Sequence, residues 1–197
     1  MAVQKIISGG QTGADRAGLY VAKRFDLVTG GQIPKGFKTL KGSEPWLGTE
    51  YGLVESTSDN YVPRTFWNVQ NSNGTVRFAA DFKSRGEICT KKAIDKYDKP
   101  YFDVDLTDPR KVDDFVAWLR AANIITLNVA GNAEETFPGC FKKTVDYLTE
   151  AFFVMGYPMV LRPEEVIKSL GLSTEGHEIV IGGKPWTEKI TVQKKAS

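Results

Sequence analysis

Short apolar segments alternate with amphipathic segments along the first 156 residues, and this alternation restricts the possible folds most strongly. The candidate strands are residues 3–8, 26–31, 75–80, 101–106 and 123–131. The candidate helices are residues 13–25, 61–74, 86–98, 108–123 and 136–156. Strands that alternate with helices form parallel sheets covered by helices. The sequence therefore predicts an α/β fold with a Rossmann-like, mostly parallel sheet flanked by helices.

Residues at the boundaries of these segments suggest where the helices begin. Asp108 and Thr136 are the side chains that we expect to cap two of the helices, and Pro63 lies near the start of a third. Residues 32–53 contain four glycines and two prolines, so we expect an irregular connection there. A connection of that length in a compact domain is usually functional or mobile.

The pattern changes after residue 156, which predicts a domain over residues 1–156 and an extension over residues 157–197. Residues 162–172 suggest a short helix. The segment that follows alternates with period two around two glycines, which predicts a β-hairpin. An isolated hairpin is marginally stable, so we expect this one to pack on the body or on a second subunit.

Composition excludes several classes of function. Lysine and arginine exceed aspartate and glutamate by only 26 − 24 = 2, which argues against a nucleic-acid or membrane-surface protein. We find no signal peptide, and the longest nearly apolar stretch is too short to span a membrane. Cys89 and Cys140 form no CxxC motif, and His177 has no partners at metal-ligand spacing. We therefore expect a cytoplasmic protein without a metal site.

Residues 8–13, Ser-Gly-Gly-Gln-Thr-Gly, connect the first strand to the first helix and are called the glycine loop below. Such a loop lets backbone amides and the helix dipole favour an anion, most often a phosphate, although a tight turn without a ligand is the alternative. A second loop at the same sheet edge contains Gly131 and Gly139. Lys35 lies beside glycines in a third segment. We expect Glu134 and Glu135 to face water, or to meet a ribose or a base.

Four segments, "ISGGQTGADRAGL", "GGQIPKG", "YVPRTFWNVQNSNGTVRF" and "NVAGNAEETFPG", occur in this order. Together they resemble the circularly permuted YpsA branch of the SLOG superfamily, over about residues 3–155. That family carries the label of molybdenum-cofactor carrier, and the superfamily includes the LONELY GUY phosphoribohydrolases. The resemblance implies a phosphate-bearing, nucleotide-like ligand. The residues that it implies as contacts are Gly9, Gly10, Gln11, Thr12, Gly13, Asp15, Lys35, Arg64 and Gly139.

Two turns depart from the family pattern. A Gly-Gly-Thr-like turn after the middle strand is replaced by "SRGEICT", where Arg85 can supply a charge that is otherwise lost. A Gly-Pro-Arg turn after the late strand is replaced by "GNAEE". We also expect Asn68 to orient Arg64 or to bond to the ligand.

The sequence favours a binding protein over an enzyme. The PGGxGTxxE motif of the phosphoribohydrolases is missing, which leaves Asp15 and Asp146 as weak candidate catalytic acids. Asp15 lies in the first turn of a helix, where we expect the dipole to lower the pKa of its carboxyl group. Cys140 at a helix start has either a lowered thiol pKa or a packing role.

Three functions stay open. The first is to sense, sequester or carry a nucleotide-derived small molecule, the second is to carry the molybdenum cofactor, and the third is N-glycosidic hydrolysis of nucleotides. We expect no required cofactor, although a nucleotide or a molybdopterin-type ligand can be bound, and the family resemblance favours a homo-oligomer. Tyr61, Phe66 and Trp67 are candidates to stack on a base or pterin, with core packing as the alternative, and Trp46 is a candidate lid residue.

Overall fold

The computed structural model of the protein describes residues 3–160, 177–182 and 189–194. The chain divides into two compact units, residues 1–159 and residues 160–197. In the second unit, two strands form an antiparallel pair, in which His177 lies opposite Lys194 and Gly182 lies opposite Lys189. The helix predicted over residues 162–172 lies outside the described residues.

The first unit contains eight strands and six helices within the residues that the structure describes. The strands are β1 (Lys5–Ile7), β2 (Val28–Ile33), β3 (Lys38–Thr39), β4 (Gly42–Ser43), β5 (Leu53–Glu55), β6 (Gly74–Ala79), β7 (Tyr101–Asp105) and β8 (Thr126–Gly131). The helices are α1 (Ala14–Arg24), α2 (Trp46–Tyr51), α3 (Tyr61–Gln70), α4 (Arg85–Tyr97), α5 (Val112–Ala121) and α6 (Cys140–Val154). The two strands of the second unit are β9 (His177–Gly182) and β10 (Lys189–Lys194).

Six strands form one sheet in the order β5-β2-β1-β8-β6-β7, and each neighbouring pair is parallel. Strands β2 and β5 follow on one side of β1. Strands β6 and β7 lie on the other side, and β8 lies between β1 and β6. This arrangement confirms the predicted Rossmann-like α/β fold. The carboxyl ends of all six strands lie at one edge of the sheet, where ligands bind in open parallel sheets.

The two faces of the sheet differ in polarity. On one face, Ile6, Val76, Phe78, Leu127 and Val129 pack with α1, α5 and α6 in the main hydrophobic core. Because successive strand residues point to opposite faces, the residues between them lie beneath α3 and α4. These residues are largely polar, although buried: Thr75, Arg77 and Asn128. The sheet thus presents buried hydrogen-bonding groups on the α3–α4 side.

Residues 32–53 are more regular than the sequence suggested. They contain the end of β2, the hairpin of β3 and β4, helix α2 and the start of β5. Gly36, Gly42 and Gly52 have φ angles of 76°, 104° and 66°, so they turn the chain between these short elements. The expectation of an irregular connection was therefore wrong, because the glycines separate elements.

Two predicted helix caps were also wrong. Helix α5 begins at Val112 rather than beside Asp108, and Asp113 and Asp114 occupy its first turn, where the helix dipole favours acidic side chains. Helix α6 begins after Gly139, whose φ of 88° suits glycine, and Thr136 does not cap it. None of the described helices is long and apolar enough to cross a membrane.

Candidate functional site

A cleft of about 590 Å³ opens at the carboxyl edge of the sheet, on the polar α3–α4 side. That volume is in the range of small-molecule binding sites. Its walls come from the glycine loop and α1, from α3, from the start of α4 and from the segment after β8. The charged residues of its lining are Asp15, Arg64, Arg85 and Glu87.

The glycines of the glycine loop make close packing possible. A Cβ atom on Gly10 would lie 2.5 Å from Leu53 Cδ1, and the φ angle of Gly10 is 71°. A Cβ atom on Gly13, at a φ of 74°, would lie 2.4 Å from the carbonyl oxygen of Asn132. Gly9, Gly10, Thr12 and Gly13 do not line the cleft, whereas Gln11 and Asp15 do.

Several amides at the start of α1 already have acceptors within the protein. The Gln11 N–H donates to Asp15 Oδ2 at 3.3 Å, and the Thr12 N–H donates to Gln11 Oε1 at 3.0 Å. The Ala14 N–H donates to the carbonyl oxygen of Asn132 at 3.1 Å. These bonds leave the glycine loop with fewer free donors for a phosphate than its sequence suggested.

Arg64 and Asp15 form an ion pair on the cleft wall, with 3.2 Å between Arg64 Nη1 and Asp15 Oδ2. The Asp15 side chain is 4% exposed. Burial raises the pKa of its carboxyl group above the ordinary value, although Arg64 and the Gln11 amide act in the opposite direction. The expectation of a lowered pKa was wrong, because desolvation outweighs the opposing effects of Arg64, the Gln11 amide and Arg16.

Glu87 is the second buried carboxyl group of the cleft, with 2% of the residue exposed. Its Oε2 atom lies 3.7 Å from Arg77 Nη1 and accepts no hydrogen bond from any described residue. Burial raises the pKa of Glu87 to about 8, Arg77 lowers it, and Asp15 raises it further. Glu87 is therefore mainly protonated at neutral pH.

The first turn of α4 forms another part of the cleft wall. Ser84 caps the helix by accepting a 3.4 Å hydrogen bond from the Glu87 N–H. Ser84, Arg85 and Gly86 line the cleft, and a Cβ atom on Gly86 would meet no atom within 4 Å. Arg85 is exposed, so its guanidinium group can move toward a ligand. This turn combines an open helix N-terminus with an exposed positive charge.

Comparisons with known proteins agree with this architecture. The profile of the circularly permuted YpsA SLOG family matches residues 6–152. The chain belongs to this family. A crystal structure named "Putative molybdenum carrier protein", from Syntrophus aciditrophicus SB, is 35% identical with a TM-score of 0.70. The match covers 77% of the present chain and 95% of that chain. No curated protein matches the sequence.

Lys35 and Asn68, which were also named for ligand contact, lie outside the cleft. Lys35 is exposed, and its N–H donates to the Ser58 carbonyl at 2.9 Å. Asn68 is buried, accepts from the Gln32 N–H at 2.8 Å and donates to the Gln32 carbonyl at 3.0 Å. Asn68 therefore fixes α3 to β2 and does not orient Arg64.

Gly131 at the end of β8 and Asn132 after it line the cleft. Asn132 Oδ1 accepts from the Ala80 N–H at 2.9 Å, which joins this segment to the end of β6. Glu134 caps α6, because its carboxylate accepts from the N–H groups of Gly139 and Phe141 at 2.6 and 2.8 Å. Gly139 thus serves the helix cap and does not line the cleft.

Glu135 and the two weaker chemical candidates also have structural partners. Glu135 accepts a short hydrogen bond from the Thr12 hydroxyl group. Asp146 is exposed on α6 and pairs with Lys142 at 2.6 Å, outside the cleft. Cys140 is buried and donates to the Asn132 carbonyl at 3.0 Å, and burial raises its thiol pKa to about 12. The structure thus gives Cys140 the packing role, and burial disfavours its thiolate form.

The aromatic candidates divide between cleft and core. Tyr61 lines the cleft, with its ring centre 5.8 Å from the Arg64 guanidinium carbon. Phe66 packs against Tyr97 in a core cluster. Trp46 lies beside Arg16, with 5.4 Å between its ring centre and the guanidinium carbon, and does not line the cleft. From this part of the chain, Leu40 reaches the cleft instead.

Glu87 and Arg77 are the functional candidates that sequence reasoning missed. Ser84 and Glu87 have the S-x-x-E spacing of a capping box, which would have drawn attention to the glutamate. Arg77 is the charged residue of a strand that is otherwise uncharged and buried throughout, so its guanidinium group requires a buried partner. Within the described residues, no group of three or more His, Cys, Asp or Glu side chains could hold a metal ion.

Proposed function

We propose that the protein binds a phosphate-bearing small molecule derived from a nucleotide, in the cleft between α1, α3 and α4, and holds it without chemical change. The observation that carries this proposal is the first turn of α4, where Arg85 and Gly86 line a cleft that also contains Arg64. Family membership supports a ligand-binding role. We favour α4 over the glycine loop for the phosphate because the Gln11, Thr12 and Ala14 amides already have acceptors within the protein.

The rest of the cleft suits the non-phosphate part of such a ligand. Tyr61 offers a ring face, Thr65 and Thr90 add small polar side chains, and Glu87 and Asp15 contribute carboxyl groups. A base or pterin ring needs an apolar face and a few polar contacts at its edge. The cleft provides both within its volume of about 590 Å³.

A molybdopterin-type ligand is the second candidate, favoured by the name of the structural neighbour from Syntrophus aciditrophicus SB. The cleft fits the organic part of such a cargo. A pterin with a phosphate is bound by the same kinds of group as a nucleotide, namely a ring face, polar side chains and positive charges. Protein ligands for the metal itself are missing among the described residues. Carriage would therefore depend on contacts to the pterin and phosphate of the cargo.

One observation supports the hydrolase alternative. A residue that protonates a leaving base must hold its proton at neutral pH, so a carboxyl group with a raised pKa is required. Glu87 and Asp15 both have raised pKa values in the cleft. We nevertheless expect nucleotides incubated with the protein to be recovered intact by chromatography. Free base or ribose phosphate that disappears in Asp15→Asn or Glu87→Gln would establish the hydrolase.

The binding proposal is tested by native mass spectrometry of the purified protein, followed by calorimetry with the released molecule. A hydrogen bond to a charged group contributes roughly 1.5–3 kcal/mol, so Arg64→Ala or Arg85→Ala should weaken binding about tenfold to a hundredfold. Arg120→Ala, at an exposed position on α5, is the control and should bind like the wild type. Equal affinity in all three variants would contradict the proposed site.

A further inference from the structure

The charges around Glu87 do not balance. Arg77 on β6 is engaged by Asp103 on β7, with Nε–Oδ1 and Nη2–Oδ2 distances of 2.7 and 2.5 Å. Arg64 on α3 is engaged by Asp15 on α1. Each arginine in this cluster thus has a carboxylate of its own. Glu87 is the third carboxyl group and has no counter-charge to itself.

The contacts of Arg77 show why it cannot serve Glu87 as well. Its Nη1 group donates to the backbone carbonyl of Glu87 at 3.2 Å, and the side-chain Oε2 is 3.7 Å from the same atom. That separation is too long for a hydrogen bond. A buried carboxyl oxygen without a donor is rare, so its position on a cleft wall indicates that a ligand group occupies it.

On the basis of the proposed function, we propose that Glu87 binds the ring edge of a 2-amino-4-oxopyrimidine, the group shared by guanine and pterins. This edge presents a ring N–H and an amino N–H side by side, and an ionised carboxylate accepts two such parallel bonds. A cationic group is a worse occupant, because Arg64 and Arg85 line the same cleft and would repel it. The edge of adenine offers one donor and one acceptor, and it does not match a carboxylate.

The proposal requires a proton to leave Glu87 when the ligand binds. Burial holds the Glu87 proton up to a pH near 8 in the free protein. The groups that face it are Arg77, Asp103, Asp15 and Arg64, of which the two arginines favour ionisation and the two aspartates oppose it. Two ligand N–H donors stabilise the carboxylate, so affinity should increase as pH rises toward 8 and level off above it.

The test is calorimetry with guanosine, inosine and adenosine monophosphates and with neopterin monophosphate, at pH 7 and pH 8. Inosine monophosphate differs from the guanosine compound only in the missing 2-amino group. We expect guanosine monophosphate to bind at least about tenfold more tightly than either of the other nucleotides. Its affinity should rise about fivefold between the two pH values, since the ionised fraction of Glu87 rises from about a tenth to a half.

Buffers of different ionisation enthalpy should reveal about one proton released for each guanosine monophosphate bound at pH 7, and about half a proton at pH 8. Glu87→Gln should remove the pH dependence and the preference for the 2-amino group. Inorganic pyrophosphate should bind this variant as it binds the wild type, which shows that the variant is folded. A higher affinity for neopterin monophosphate than for guanosine monophosphate would identify the ring system that Glu87 binds as a pterin.

Failures of the two proposals have different signatures. Equal binding of the guanosine and inosine compounds, or tighter binding of adenosine monophosphate, would overturn the role of Glu87 and leave the phosphate site intact. The same holds if Glu87→Gln keeps the preference. If neither pyrophosphate nor any of the four monophosphates binds, the proposed function fails together with the inference.

Discussion

Asp15 and Glu87 show how burial and counter-charge together determine the state of a carboxyl group. Both are buried in the same cleft, and burial raises the pKa of each. Asp15 has Arg64 at 3.2 Å and also accepts from the Gln11 amide. Glu87 has Arg77 at 3.7 Å without a hydrogen bond between the side chains, and Asp103 already engages that guanidinium group. Asp15 is therefore a fixed partner of Arg64, whereas Glu87 is available to a ligand.

Gly9 and Gly10 should respond differently to alanine. A Cβ atom on Gly9 would lie 1.8 Å from Arg64 Nη1, and the side-chain end can move away. Gly9→Ala should therefore fold and lose ligand affinity, because Arg64 leaves Asp15, and the buried carboxyl group that loses its partner should lower stability as well. Gly10→Ala adds a methyl group 2.5 Å from Leu53 Cδ1 at a φ of 71°, so it should unfold at lower temperature.

Thermal melting and calorimetry with pyrophosphate separate the two effects of these alanines. Unchanged pyrophosphate affinity in Gly9→Ala would show that the position of Arg64 does not matter for the anion. A valine at position 10 is a poor test of ligand contact, because strain at that site would lower stability in any case.

Glu87 should also make stability depend on pH. The unfolded chain releases this proton near the ordinary value of 4.5, and the folded protein keeps it up to about 8. Unfolding thus releases a proton in this window, so the free energy of unfolding falls as pH rises, by up to about 1.4 kcal/mol per pH unit. Glu87→Gln has no such proton. The stability difference between wild type and Glu87→Gln, measured by urea unfolding from pH 5 to pH 8.5, should shift steadily in favour of the variant, and a constant difference would contradict the raised pKa.

Among individual residues, the sequence predicted Arg64 and Asp15 as site residues, since both lie in long motifs. It did not predict that they pair, because the pairing joins residues 49 positions apart in the chain. Asn68 lies in the same motif as Arg64 but points to β2, which only the packing of α3 determines. The importance of Glu87 depends on its burial against Arg77, and local sequence does not encode that.

Elements on the polar side of the sheet create the cleft. Helices α3 and α4 pack on strands that carry Thr75, Arg77 and Asn128, whereas the opposite helices pack on an apolar face. Asn128 Nδ2 donates to Thr75 Oγ1 at 3.2 Å between neighbouring strands. Polar groups beneath α3 and α4 let the sheet hold the buried charges that the cleft needs.

The Glu134 cap at the start of α6 should contribute to the free energy of unfolding. Glu134 accepts from two amides of the first turn, and loss of a helix cap costs about 0.5–2 kcal/mol. Glu134→Ala should therefore lower the free energy of unfolding by roughly 1–2 kcal/mol. Glu150→Ala, on the exposed side of the same helix, is the control and should change it by less than about 0.5 kcal/mol. If urea unfolding finds the two variants equally stable, Glu134 is not the cap.

Element order was largely predictable, because apolar strands and amphipathic helices have different periods. The five predicted strands of the body are present in the sheet, and β5 was missed because it is three residues long and follows a glycine. The start of α6 was misplaced because its cap is a glutamate five residues before Gly139, which is not a usual capping position. Short elements and long-range caps depend on tertiary contacts.

The body of the molecule contains the sheet, its helices and the cleft within residues 1–159. Tyr157 donates to the Val3 carbonyl at 2.8 Å and packs against Phe152 with 5.2 Å between ring centres. Met155 and Met159 also pack against the main core. The segment after α6 therefore belongs to the body and closes its core beside β1.

Two truncations test this assignment. A chain ending at residue 160 should fold and bind pyrophosphate, because it keeps the whole body. A chain ending at residue 154 loses Tyr157, so we expect it to be less stable by about 1–3 kcal/mol, or several degrees. Failure of the longer truncation to fold would show that residues 161–197 are part of the body. Light scattering of the full protein tests the predicted homo-oligomer. The same measurement on the two truncated chains tests whether the extension is needed for assembly.

The proposed phosphate site at the first turn of α4 can be examined amide by amide. Amide chemical shifts of the ¹⁵N-labelled full chain during a titration with pyrophosphate test it most directly. We expect the largest shifts at the amides of Arg85 and Gly86, and we expect Arg85→Ala to need more pyrophosphate for saturation. Shifts concentrated at Gly9, Gly10 and Gly13, with the start of α4 unchanged, would contradict it and return the phosphate to the glycine loop.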